Sequence, residues 1–289
     1  MKKIDIHVHV RPENVHSNET WLTEKEQIEV HKKLNVEKGI ILPFFKSPDE
    51  PCVLTVENAR NIAAKYPDKF LWFTDVDLLA FDFENEDLYE FLKKEKELGA
   101  KGVGEITTHI DIDDEKVYKL FSCCERLSLP VLTHIAPRRN AGYGLIDSIG
   151  LPGLEKMLKA HPDMIYIGHS VPFWCEISKL ATEEERLKYN NQKVVEGRLA
   201  YLMREYKNLY CDLSAASGAT AMMRDKEYAV KFIMEFQDRI MYGCDITGMR
   251  STIQYEFSDF LDSLVNEGKI TADAYEKLCR KNAERLFDI

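Results

Sequence analysis

The first residues that could do chemistry lie in Ile4-Asp5-Ile6-His7-Val8-His9-Val10. Along a strand, residues two apart point to the same face. His7 and His9 can therefore aim two imidazoles at one metal, and imidazole is the commonest neutral ligand for Zn²⁺ and similar ions. An H-x-H pair is short, and alone it fits two ordinary strand-end histidines as well as it fits a metal. Four further residues shift that balance. Glu105 ends Lys101-Gly102-Val103-Gly104-Glu105, His134 ends Pro130-Val131-Leu132-Thr133-His134, His169 ends Ile165-Tyr166-Ile167-Gly168-His169, and Asp245 ends Met241-Tyr242-Gly243-Cys244-Asp245. Each is the first strongly polar, metal-capable group after an apolar run.

These groups can meet only if the runs that carry them end at one level. The β-rich runs are 4–8, 39–44, 70–76, 102–106, 130–133, 164–167, 209–213 and 240–242. Helical patterns lie between them at 22–34, 55–65, 84–98, 113–128, 151–160, 182–206, 223–237 and 251–264, with a last helix over about 271–286. Gly99 supplies a stop signal, and Asp113-Asp114-Glu115 a start. Eight β/α alternations predict an α/β chain closed into a (β/α)₈ TIM barrel, one domain over residues 1–289. An open doubly wound sheet is the alternative, but no glycine-rich nucleotide turn opens any helix. In a closed barrel all the strand-end groups converge on the C-terminal rim. The long connections 134–150 and 169–181, and the medium one 10–21, emerge there too.

The ordered set H-x-H, His, His, Asp after strands one, five, six and eight resembles the amidohydrolase superfamily. The closing Asn282-Ala283-Glu284-Arg285-Leu286-Phe287 resembles the ending of its amidohydrolase 2 branch, which includes decarboxylases related to aminocarboxymuconate-semialdehyde decarboxylase. The resemblance implies a metal held by His7, His9, His134 and Asp245. It makes His169 either a ligand to a second metal or a catalytic acid beside the substrate. Many members bridge two metals with a carboxylated lysine or a glutamate after strand four. Lys101 lies at the wrong end of its strand for that role. Glu105 lies at the right end, and Gly102-Val103-Gly104-Glu105-Ile106 also resembles the strand-four glutamate of metal-dependent deoxyribonuclease-like members. A bridging Glu105 makes the centre binuclear; the alternative is a Glu105 that hydrogen-bonds a ligand histidine. The implied cofactor is Zn²⁺, one or two ions, with Mn²⁺ or another divalent ion also suited to the set. The implied chemistry is hydrolysis by a metal-activated water, with Asp245 shuttling the proton and His169 assisting. Metal-dependent decarboxylation uses much of the same set.

Substrate contacts are thinly encoded. Arg138 and Arg139 follow His134, and arginine forks suit carboxylate or phosphate. Trp174, after Pro172 and Phe173, is a candidate pocket wall. Met249 and Arg250 are weaker candidates, and His16, His31, His109 and His161 are not expected to be ligands. Cys244 should point away from the site as a buried filler.

Composition narrows the partners. The 289 residues are 45% hydrophobic and 30% charged, with a net charge of −10. That acidic balance opposes binding to a phosphate backbone, so a small-molecule substrate is expected and a nucleic acid is not. Seven irregularly spaced cysteines suggest reduced thiols. There is no signal-peptide core and no membrane-length apolar run, so a cytoplasmic location without membrane attachment is expected. The long loops and barrel helices offer a surface for a homodimer.

Overall fold

The computed structural model describes residues 1–13, 21–44, 54–136, 139–140, 142–180, 182–188, 191–248 and 251–289. All eight β-rich runs form strands. These are β1 (Lys3–Val8), β2 (Val36–Ile41), β3 (Phe70–Trp72), β4 (Val103–Ile106), β5 (Val131–Ala136), β6 (Tyr166–His169), β7 (Leu209–Asp212) and β8 (Ile240–Met241). Neighbours pair in parallel through two arcs, β1-β2-β3 and β4 to β8. The Thr74–Val103 bridge joins the arcs, with the Thr74 N–H on Gly102 O at 3.0 Å and the Gly104 N–H on Thr74 O at 2.8 Å. On the other side Ile6 N–H donates to Tyr242 O at 3.1 Å and Asp245 N–H to His7 O at 2.9 Å. The sheet thus closes into a (β/α)₈ TIM barrel. A two-residue strand, Leu145–Ile146, pairs outside it with β5.

The helices begin where the sequence places caps. Thr23 and Glu26 form a capping box before Glu24–Leu34. Asp87 caps Leu88–Glu97 and Asp114 caps Glu115–Leu127, each accepting free N–H groups of the first turn. Two stretches differ from expectation. The pattern at 182–206 is a 3₁₀ turn, Glu185–Leu187, and a separate helix, Arg198–Glu205. Between them Glu196 folds back to pair with Ser178, ahead of the 3₁₀ turn, and Gly197 packs where a side chain would strike the Glu176 carbonyl. The helix expected at 223–237 is Lys226–Phe236, capped by Asp225, and an additional helix, Ala215–Met223, follows β7 directly.

The barrel floor is apolar. Ile4, Ile6, Ile40, Leu42, Phe73, Leu132, Ile167 and Met241 pack with Ala283 and Phe287 of the last helix, Asn282–Phe287. Asn282 donates to Gln237 O at 2.7 Å and Ile240 O at 2.9 Å, which ties that helix to the start of β8. The closing Asn-Ala-x-Arg-Leu-Phe is thus a plug: Asn282 anchors it, while Ala283 and Phe287 seal the floor. No helix among the described residues is long and apolar enough to cross a membrane. Cys123, Cys124, Cys175, Cys211, Cys244 and Cys279 are all free thiols.

Candidate metal centre

The groups at the rim arrive from the ends of five strands. His7 lies on β1 and His9 just past its end, and the β1 ladder is irregular between Asp5 and Val8. Asp5 compensates there: its Oδ1 accepts the N–H of His7 at 3.0 Å and of Cys244 at 2.8 Å. The two imidazoles share a face as i and i+2 should, with their Nε2 atoms 3.0 Å apart. Glu105 comes from β4. It follows Gly104 at φ 130, where any side chain would strike the Leu132 carbonyl, so only glycine lets the strand turn here. His134 and His169 are paired directly across β5 and β6. Asp245, past β8, is seated beside His7 by its own N–H.

Glu105 stands at the middle of this set. Its Oε2 lies 3.3 Å from His9 Nε2 and 3.7 Å from His7 Nε2. Its Oε1 lies 3.8 Å from His169 Nε2 and, though buried, has no hydrogen-bond partner. Asp245 closes the far side, with Oδ1 3.9 Å from both His7 and His9 Nε2 and Oδ2 3.8 Å from His169 Nε2. Three groups that could hold a metal ion result: His7 with His9 and Glu105, His7 with His169 and Asp245, and Glu105 with His134 and His169.

The donor chemistry fits a divalent cation. His9 Nδ1 faces the Leu42 carbonyl at 3.0 Å. A carbonyl only accepts, so Nδ1 carries the proton and the neutral ring presents a bare Nε2. His7 Nδ1 is 2.7 Å from Asp212 Oδ2, which leaves its Nε2 bare in the same way. Two lone pairs 3.0 Å apart, facing a buried carboxylate whose other oxygen has no partner, form an arrangement that a cation satisfies and a dry cavity does not. Burial alone would push Glu105 up, but His7 and His9 outweigh it and hold the carboxyl well below its ordinary range. Burial likewise opposes protonation of His7, yet Asp245 and Asp212 raise it, so in the metal-free chain a proton can stand in for the cation. Burial pushes His134 down to about 4, which keeps it neutral and ready to ligate.

Several other singled-out residues that the structure describes lie away from this set. Arg139 is not aimed at the site: it is exposed and pairs with Asp111 at 2.5 Å. Arg138 lies outside the described residues. Trp174 is buried behind the site rather than walling it, because its indole N–H donates to the Asp212 carbonyl at 2.9 Å while its ring packs on Phe173 and Phe232. Lys101 bonds the Asp288 carbonyl at 3.1 Å, at the floor end. His31 bonds Asp5 at 3.0 Å, the His161 ring packs against Tyr118, and His109 faces the Arg139 carbonyl at 2.8 Å. His16, Met249 and Arg250 lie outside the described residues. Cys244 is buried, as expected of a filler.

Sequence reasoning missed three features. Asp212 ends β7 just as the candidate ligands end their strands, but it lies inside the apolar run 209–213. Asp75, past β3, is buried. An arc of aromatic rings runs along one side of the mouth: Trp21 and Phe44 lie 5.5 and 5.3 Å from the His9 ring, and Tyr143 lies 4.3 Å from His134 and 5.6 Å from Phe44. Its members come from three separate loops, so no spacing rule could assemble them.

Known proteins match this architecture. The family model described as amidohydrolase matches residues 50–289. An uncharacterised TIM-barrel protein from Bordetella bronchiseptica superposes with a TM-score of 0.67 at 17% identity, covering 100% of this chain and 99% of the other. A probable 2-pyrone-4,6-dicarboxylic acid hydrolase from Acinetobacter baumannii gives 0.60 at 13% identity, covering 100% and 99%. A 2,6-dihydroxybenzoate decarboxylase from Rhizobium gives 0.55 at 17% identity, covering 99% and 98%. At these identities the likeness concerns the fold. No curated protein sequence matches the chain.

Proposed function

We propose that this chain, which belongs to the amidohydrolase family, is a metal-dependent hydrolase acting on a small molecule with an amide, ester, lactone or phosphoester bond. The observation that carries it is the split of Glu105, with one oxygen toward His7 and His9 and the other toward His169. A carboxylate so placed is suited to bridge two cations. His7 and His9 would hold one, His134 and His169 the other, and Asp245 would complete the first. Zn²⁺ suits this imidazole and carboxylate set best, with Mn²⁺ an alternative. A bound ion of this kind polarises a substrate oxygen and acidifies water.

The chain's own residues do the rest. Glu105 and Asp212 are almost fully buried, whereas the Asp245 side chain keeps 19% of its surface open. Asp245 is therefore the carboxylate that can exchange a proton with what enters the mouth. It takes the proton from the attacking water as the new bond to carbon or phosphorus forms. It then delivers that proton to the leaving group as the old bond breaks. If His169 is not committed as a ligand, its Nε2 can hydrogen-bond the oxygen on which negative charge develops.

Decarboxylation of a small unsaturated or aromatic acid is the alternative, and the aromatic arc favours it. Trp21, Phe44 and Tyr143 give a flat substrate a surface to lie against. Two of the similar structures carry names of enzymes for flat ring acids, one a hydrolase and one a decarboxylase.

Elemental analysis of protein purified without chelator tests the main proposal. About two metals per chain, falling toward one in Glu105→Gln, is the expected result. One metal per chain in the parent, unchanged by that substitution, removes the bridge and moves the weight to the decarboxylase. Assays of a lactone and an aryl carboxylate panel, one read by acid release and the other by CO₂ release, then separate the two chemistries.

A further inference from the structure

Strand β7 supplies none of the ligand groups above, yet it ends in a fully buried carboxylate that touches two of them. Asp212 Oδ2 lies 2.7 Å from His7 Nδ1 and 3.1 Å from His169 Nδ1. The same oxygen accepts the Ser214 hydroxyl at 2.6 Å, and Oδ1 accepts the Ser214 N–H at 2.9 Å. Ser214 Oγ also lies 3.2 Å from His7 Nδ1 and 3.1 Å from His169 Nδ1. Its one proton is spent on Asp212, so toward both rings it can only accept. Both Nδ1 atoms therefore meet acceptors alone, and each neutral ring must carry its proton on Nδ1.

From this geometry we infer that Asp212 and Ser214 are a positioning pair. They fix the tautomer and ring direction of His7 and His169 together, so that both Nε2 lone pairs face the rim and the two halves of the metal centre are set by one carboxylate. The inference rests on the metal-centre proposal above. The surroundings are shaped around this pair. The Asp212 carbonyl is held by the Trp174 indole at 2.9 Å. Gly243 is bare where a side chain would strike Asp212 Oδ1 and come within 3.3 Å of the His7 Cβ. An amide at position 212 cannot substitute. Oδ1 accepts from Ser214 N–H and Oδ2 accepts from the imidazoles, so either orientation of an asparagine sets a donor against a donor.

Zinc affinity by chelator competition tests this, together with ¹⁵N ring spectra of the zinc-loaded, histidine-labelled protein and the rise in melting temperature that zinc produces. In the parent, His7 and His169 should show a protonated Nδ1 and a metal-bound Nε2. Asp212→Asn should weaken zinc binding about 10–100-fold, lose the slowly exchanging Nδ1 protons of both residues, and shrink the zinc-induced rise in melting temperature. A residue that merely stabilised the fold would lower the melting temperature with and without zinc by the same amount. Ser214→Ala, which keeps the carboxylate, should weaken binding about fivefold, and it decides the matter if Asp212→Asn does not fold. Zinc binding within twofold of the parent in the deciding variant overturns the positioning role while leaving the metal centre standing. A parent that takes up no zinc overturns both.

Discussion

The two ends of this barrel are built by opposite rules. At the floor, Ile4, Ile6, Leu132, Ile167 and Met241 meet Phe287 with no polar side chain among them, and every contact adds stability. At the rim, a few residues further along the same strands, His7, His9, Glu105, His169 and Asp212 are buried together. Glu105 Oε1 has no partner, and Asp245 sits at φ 49, a left-handed conformation uncommon outside glycine. The rim concentrates buried charge that a stability-optimised core would exclude. Its arrangement makes physical sense once a cation is supplied, while the floor needs nothing further. The same eight strands thus serve as scaffold at one end and carry the candidate ligand set at the other.

The largest expected effect breaks the rim's chemistry and spares the floor. Asp245→Asn removes the carboxylate of the set that is most open to the mouth, and turnover should fall by at least about 10²–10⁴-fold. Its unfolding midpoint in denaturant should stay close to the parent's, since the floor packing is untouched. Rates near parental on the true substrate would show that Asp245 does not carry the proton. The mirror-image change is Phe287→Ala, which empties part of the floor and should cost about 3–5 kcal/mol of stability. The fraction that stays folded should keep the parent's metal content. A selective loss of metal from folded Phe287→Ala would mean that the two ends are coupled and the contrast between them is false.

The same contrast explains what could be read from the sequence. The floor and the strands were legible because apolar runs of alternating strand and helix report burial directly. Glu105, His134, His169 and Asp245 were legible because each interrupts such a run at its end. Asp212 does so too, but Leu213 follows it and made the interruption look like part of the run. Arg139 misled because a basic pair beside a ligand carries no information on which way it turns; Asp111, 28 residues earlier, turns it to solvent. Trp174 misled in a similar way, since its indole N–H found a carbonyl on β7. Trp21, Phe44 and Tyr143 became neighbours only through closure of the barrel, and closure is a long-range property that local spacing does not encode.

The smallest expected effect concerns a carboxyl that the proposed chemistry does not use. Asp75 follows β3 at the rim and is buried, with one oxygen 2.7 Å from the Val76 N–H. Burial pushes its carboxyl well above the ordinary range; the Val76 N–H opposes this, and the charge of Glu105 adds to it. The folded chain therefore binds this proton more tightly than the unfolded chain does. Stability from the protonated form is fully present below the ordinary carboxyl pKa of about 4, and it is lost as pH rises through the raised value. Asp75→Asn removes that dependence. In metal-free protein the melting temperatures of variant and parent should lie close near pH 4.5 and separate toward pH 8, with the variant the more stable. Zinc should narrow the gap at pH 8, because a cation at Glu105 offsets the charge that opposes ionisation of Asp75. A gap that is equal at both pH values, or that favours the parent at pH 8, would show that the rim does not crowd negative charge around Asp75. The rim would then be closer in character to the floor than its buried carboxylates suggest.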